Sequence, residues 1–133
     1  MRLPTLEPEV APVGPLIAIV GVCAAGKTTL AVALRSRGYN ARGILQEHSY
    51  VPAMWQRITR PDLLIYLDAS LETVRRRRDP AFPRDLFEQE LLRLRHARAH
   101  CDLYIPTDDL TPDEVLGHAL KLLKEEGRRR NQE

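Results

Sequence analysis

A chain of 133 residues, 44% hydrophobic and 29% charged, is long enough to bury one core and leaves no room for a second domain. Its 20 Lys and Arg against 18 Asp and Glu give a net charge of +2, and aromatic residues make up only 5%. This balance argues against nucleic acid as a partner, because neither a strongly basic footprint nor a base-stacking surface is present.

In chain order, Pro4, Pro8, Pro12 and Pro15 fix φ and remove backbone donors, so residues 1–15 read as an extended Pro-rich arm outside the core. The aliphatic run LIAIV, 16–20, predicts a strand buried on both faces, and 27–37 predicts a helix stopped by Gly38, with Leu30, Ala33 and Leu34 toward a sheet. A second strand is predicted over 41–47 (ARGILQE), followed by a loop or short helix around VPAMWQRI. The clearest inner strand is DLLIYLD, 62–68. Ser70 then caps a short helix, LETVRRRR, that ends before Pro80.

A longer helix over 84–100 carries Phe87, Leu91, Leu94, Ala97 and Cys101 at spacings of three and four, and LYIPT from Leu103 reads as a fourth strand. Thr111, Pro112 and Glu114 supply an N-cap, a first-turn proline and a capping-box acid before Val115, Leu116, Ala119, Leu120 and Leu123. Gly127 is expected to close this last helix, leaving 127–133 as a flexible basic tail. Strands alternating with helices predict an α/β fold, a three-layer α/β/α sandwich around a parallel sheet of four to five strands, with residues 16–126 as the domain.

The segment GVCAAGKT, residues 21–28, joins the first strand to the first helix. Glycines let the backbone amides of Ala24, Ala25 and Gly26 turn inward, and the helix that follows offers its positive end, so this loop is built to hold phosphate oxygens. Gly21, Gly26, Lys27, Thr28 and Thr29 are the candidate phosphate-binding residues, with Lys27 reaching the β- and γ-phosphates and Thr28 offering a hydroxyl to Mg²⁺. The ion also needs a carboxylate. Glu47, at the end of GILQE, is favoured for a metal or base role, against a solvated loop acid; Asp68 competes, although it is as well placed to cap the next helix.

Arg75, Arg76, Arg77 and Arg78 cannot all face one way on a helix, so at most one or two can reach a phosphate, the others being solvated. Arg76, Arg77, Arg78 and Arg84 are the candidates for a basic lid, with Arg77 assigned to catalysis and Arg78 to the nucleotide. His96, His100 and Cys101 lack a third converging ligand and read as a helix face rather than a metal site. Met54 and Trp55 read as packing, with a wall of an acceptor pocket as the alternative for Trp55. Two cysteines, Cys23 and Cys101, match no disulfide or zinc spacing, no apolar run is long enough to span a bilayer, and the first residues lack a signal-peptide core. A cytoplasmic protein with no membrane contact is expected.

The stretches LIAIVGVCAAGKTTLAVAL, PDLLIYLDASLETVRRRR and CDLYIPTDDLTPDEVLGHALKLL together resemble the small P-loop kinases of the nucleoside monophosphate kinase, shikimate kinase and gluconate kinase group. The resemblance implies the P-loop NTPase fold of that group, ATP and Mg²⁺, and γ-phosphoryl transfer to a small-molecule acceptor. It places the lid arginines within 75–84 and the IPTDDLTPDEV turn near the adenine ring. The group's acceptor-binding insert is largely missing between Gly38 and Asp62, so a very small acceptor, a homodimer that completes the pocket, or a nucleotide-binding regulatory module without transfer are the expectations. A GTPase is excluded, since neither Asn40 nor Asn131 is followed by lysine.

Overall fold

The computed structural model describes residues 14–131. In chain order these form β1 (Leu16–Gly21), α1 (Lys27–Arg35), β2 (Asn40–Gly43), a 3-10 turn (Gln46–His48), α2 (Met54–Thr59), β3 (Leu63–Asp68), α3 (Leu71–Arg77), α4 (Arg84–His100), β4 (Leu103–Pro106) and α5 (Pro112–Asn131). The proline arm expected over 1–15 lies outside the described residues except for Gly14 and Pro15.

The four strands make one all-parallel sheet in the order β2-β1-β3-β4. β1 and β3 are the inner strands, which is why each reads as an unbroken aliphatic run: Ile17, Ala18, Ile19, Val20, Ile65 and Leu67 are fully buried. α1 packs on β1, β2 and α5; α4 lies on β1 and β3, and α2 on β1. The chain leaves β1 for β2 in one direction and β3 for β4 in the other. Right-handed crossovers then set α1 and α5 on one face and α2 and α4 on the opposite one, an arrangement compatible with three layers. The direction reverses between neighbouring β1 and β3, so a crevice opens at their carboxyl ends.

Local signals account for most boundaries. Ser70 Oγ accepts from Thr73 N at the start of α3, and the capping box of α5 is complete, with Thr111 N donating to Glu114 Oε1 (3.1 Å) and Glu114 N to Thr111 Oγ1 (3.2 Å). α1 ends at Arg35 and the chain turns through Gly38, whose φ of +90° lets Tyr39 N reach Leu34 O.

Two expectations are corrected. β2 is shorter than 41–47, because after Ile44 N bonds to Ile19 O the chain turns into the Gln46–His48 segment. The buried Gln46 side chain fixes that turn: Nε2 donates to Val51 O and Arg93 O, and Oε1 accepts from Trp55 N. α5 does not stop at Gly127 but runs through it to Asn131, since Gly127 does not adopt a left-handed conformation and a helical glycine costs only about 1 kcal/mol. Among the described residues, no helix is long and apolar enough to cross a membrane.

Candidate functional site

β1 ends against β3 at Gly21, where an added Cβ would lie 2.1 Å from the Leu67 carbonyl oxygen; only glycine permits this approach. The loop then coils through two left-handed residues, Ala24 at φ 63° and Gly26 at φ 100°, with Ala25 N bonded to Val22 O. Space is open around Gly26, so its φ, not crowding, calls for glycine. α1 begins at once with Lys27, and its first-turn amides have no acceptor inside the helix. The exposed side chains of Thr28 and Thr29 stand on that first turn.

Lys27 is folded back. Its Nζ donates to Gly21 O (2.9 Å) and Val22 O (3.1 Å) and forms an ion pair with Glu47 Oε2 at 2.5 Å, both side chains being less than a tenth exposed. Glu47 comes from the 3-10 turn, not from a strand, and its Oε1 is buried with no partner. A second buried acid, Glu90 on α4, accepts the Cys23 amide through Oε1 at 2.7 Å, while its Oε2 has no partner. Burial pushes the Glu90 carboxyl above its ordinary range; the Cys23 N–H pulls the other way, and the Glu47 charge adds to the rise.

The four-arginine run divides as helical phase requires. Arg77 Nη1 donates to Ala24 O and Thr107 Oγ1, and its Nη2 to Thr107 O at 2.8 Å, so it ties the loop to the turn before α5. Arg78 Nη1 donates to Cys23 Sγ. Burial raises the Cys23 thiol's pKa, against the lowering effect of Arg78. Arg75 and Arg76 turn away, to Phe82 O and Thr73 Oγ1. Arg84 opens α4 with an exposed side chain and lines neither of the clefts beside the loop.

Two clefts meet over the loop and share Ala24, Gly26, Thr29 and Arg77. One, of about 350 Å³, runs from Ala25 to Thr107, Leu110, Pro112 and Val115. The other, of about 410 Å³, is lined by Lys27, Thr28, Leu45, Glu47, His48 and Arg78 among others. The first is walled by apolar side chains and the second by ionic ones, a division that suits a ligand with a flat apolar end and a polyanionic end.

Asp68 is not brought to Thr28. Along β3 it shares the face of Tyr66, and Tyr66 stacks on Tyr104 of β4 at 5.6 Å. Asp68 Oδ2 accepts from the Tyr104 hydroxyl, and Oδ1 accepts from Ala69 N. It lines a separate cleft with Tyr104 and Arg98. Burial and the Asp68 hydrogen bond push the Tyr104 hydroxyl up to about 12. Nor does Asp68 cap α3, a role Ser70 takes.

Trp55 packs inward, 5% exposed, its Nε1 donating to His96 Nδ1, so it is packing and walls neither cleft beside the loop. His100 stacks on His96 at 4.2 Å, and no group of three His, Cys, Asp or Glu able to hold a metal occurs among the described residues. The residue that sequence reasoning missed is Glu90. Its signal is a carboxylate three residues after Phe87 and four before Leu94, at helical spacing with the apolar stripe of α4. Compared with protein-family models and with curated proteins, the chain matches none.

Proposed function

We propose that this chain is an ATP-binding P-loop protein of the nucleoside monophosphate kinase-like fold, acting as a small-molecule kinase. One observation carries the reading: the loop at 21–28 leaves an inner parallel strand, opens a helix, and gathers Lys27, Glu47, Arg77 and Arg78 around one ionic cleft. Phosphoryl transfer demands positioning and charge stabilisation more than covalent help from the protein, and these groups supply both.

Each residue has a distinct part. The amides of Ala24 and of Gly26 to Thr29, with the positive end of α1, hold the α- and β-phosphates. Lys27 exchanges Glu47 and the two carbonyls for the β- and γ-phosphates. Arg77 and Arg78, already on the loop, offset charge on the moving phosphoryl group. The cleft toward Leu110, Pro112 and Val115 takes the adenine ring. Glu47, released by Lys27, takes the proton of the acceptor hydroxyl as its oxygen bonds to the γ-phosphorus and the bond to the ADP oxygen breaks.

Mg²⁺ would supply neutralisation of phosphate charge at this site. The residues that would hold it are Thr28, through its exposed hydroxyl, and Glu47, through its unpartnered Oε1. Asp68, turned to Tyr104, drops out of this set.

A second reading, a nucleotide-binding regulatory module, is favoured by the segment between α1 and β3. Beyond the four-residue β2, that segment holds only a 3-10 turn and the six-residue α2, with Trp55 packed down rather than lining an acceptor site. An acceptor screen for Mg²⁺- and ATP-dependent ADP release decides between the two. Product with any acceptor, lost in Lys27→Ala, supports the kinase; nucleotide-induced stabilisation with no product from any acceptor supports the module.

A further inference from the structure

The apolar stripe of α4 holds a carboxylate where an aliphatic side chain would be free of desolvation cost. Glu90 is 1% exposed and lines neither cleft beside the loop. It reaches 67 positions back along the chain to accept the Cys23 amide at 2.7 Å. The loop at this point needs holding, because Ala24, which follows Cys23, sits in the left-handed region at φ 63°, strained for a residue with a Cβ. Arg77 grips Ala24 O and Arg78 grips Cys23 Sγ. Glu90 grips the Cys23 amide.

We propose that Glu90 is a positioning residue for phosphate binding, clamping the Cys23 amide from behind the loop so that the Ala24 amide and those from Gly26 onward face the polyphosphate. This rests on the phosphate-binding reading of the site. The charged or titratable groups around Glu90 are Cys23 and Lys27 from the loop and α1, and Glu47 and His48 from the 3-10 turn. With Glu47 so near, a second full negative charge behind an anion-binding loop would work against it. The neutral acid does not, and burial favours that form. A carboxamide of the same shape keeps the Cys23 bond without the charge.

Two measurements test the clamp. Affinities for Mg²⁺-ADP and for adenosine are compared in wild type, Glu90→Gln and Glu90→Ala. ADP is expected to bind Glu90→Gln within about twofold of wild type and Glu90→Ala about tenfold more weakly, with adenosine unchanged. Unchanged ADP affinity in Glu90→Ala, or equal weakening of ADP and adenosine, overturns the proposal. Hydrogen exchange at the Cys23 amide needs no nucleotide: it should be slow in wild type and in Glu90→Gln. Rapid exchange in either overturns the clamp, including where Glu90→Ala does not fold. A wild type that binds no ADP refutes the phosphate-binding reading instead, and Cys23 exchange then decides whether the clamp exists.

Discussion

Lys27→Met should destabilise the protein before it touches any chemistry. The Lys27 ammonium lies 2.5 Å from Glu47 Oε2, with the two side chains 9% and 2% exposed. Removing one member of such a pair strands the other, at a cost of about 3–5 kcal/mol, out of roughly 5–15 kcal/mol for a domain of this kind. Exposure of Lys27 at the cleft puts the expected loss at the low end, about 3 kcal/mol. The double variant Lys27→Met with Glu47→Gln leaves no charge behind and should recover about 2 kcal/mol of that loss. Urea unfolding followed by the fluorescence of Trp55, the single tryptophan and a buried one, reads both values. A Lys27→Met variant within about 0.5 kcal/mol of wild type, or a double variant no more stable than the single, would refute the buried-pair reasoning. The double variant is also the folded control against which lost turnover should be judged.

Gly21→Ala forces a methyl group to within 2.1 Å of Leu67 O at the carboxyl end of the two inner strands and should cost about 3 kcal/mol or more, whereas Gly26→Ala meets open space and should cost about 1–2 kcal/mol from its φ of 100° alone. Equal losses in urea unfolding would contradict this ordering. Glu90, raised by burial, binds more protons folded than unfolded, so wild-type stability should fall as pH rises from its ordinary value of 4.5 toward the raised one; Glu90→Gln should lack this fall, and parallel pH profiles would contradict it. Arg77→Ala, at an exposed side chain, should leave stability within about 1 kcal/mol of wild type but lower turnover about a hundredfold, and undiminished turnover would remove Arg77 from the site.

Where burial is complete on both faces, the sequence announces it. β1 and β3 were legible because an inner parallel strand tolerates no polar alternation, and α5 because its capping box is written in three residues. The turn at 21–28 between β1 and α1 was legible for a similar reason, since Gly21 meets a steric demand and Gly26 a φ demand. Asp68 was not, because its orientation depends on pleat parity: sharing a face with Tyr66 turns it to Tyr104, while Thr28 stands on the helix leading away from β1. The end of β2 was hidden because the bonds that shape the turn come from the Gln46 side chain, with partners on Val51, Trp55 and Arg93. In the arginine run, composition allowed one or two contacts but not which; the phase of α3 selects Arg77, and Arg78 reaches Cys23 from the C-cap just beyond the helix.

Calorimetric titration of the wild-type chain with ATP, ADP and adenosine in the presence of Mg²⁺ addresses the central claim most directly. If the loop at 21–28 is a polyphosphate cradle, ATP and ADP each bind at one site per chain, adenosine binds far more weakly, and neutralising Lys27 in the folded double variant removes most of the difference. Adenosine binding as tightly as ATP, or no binding of any of the three, would contradict it.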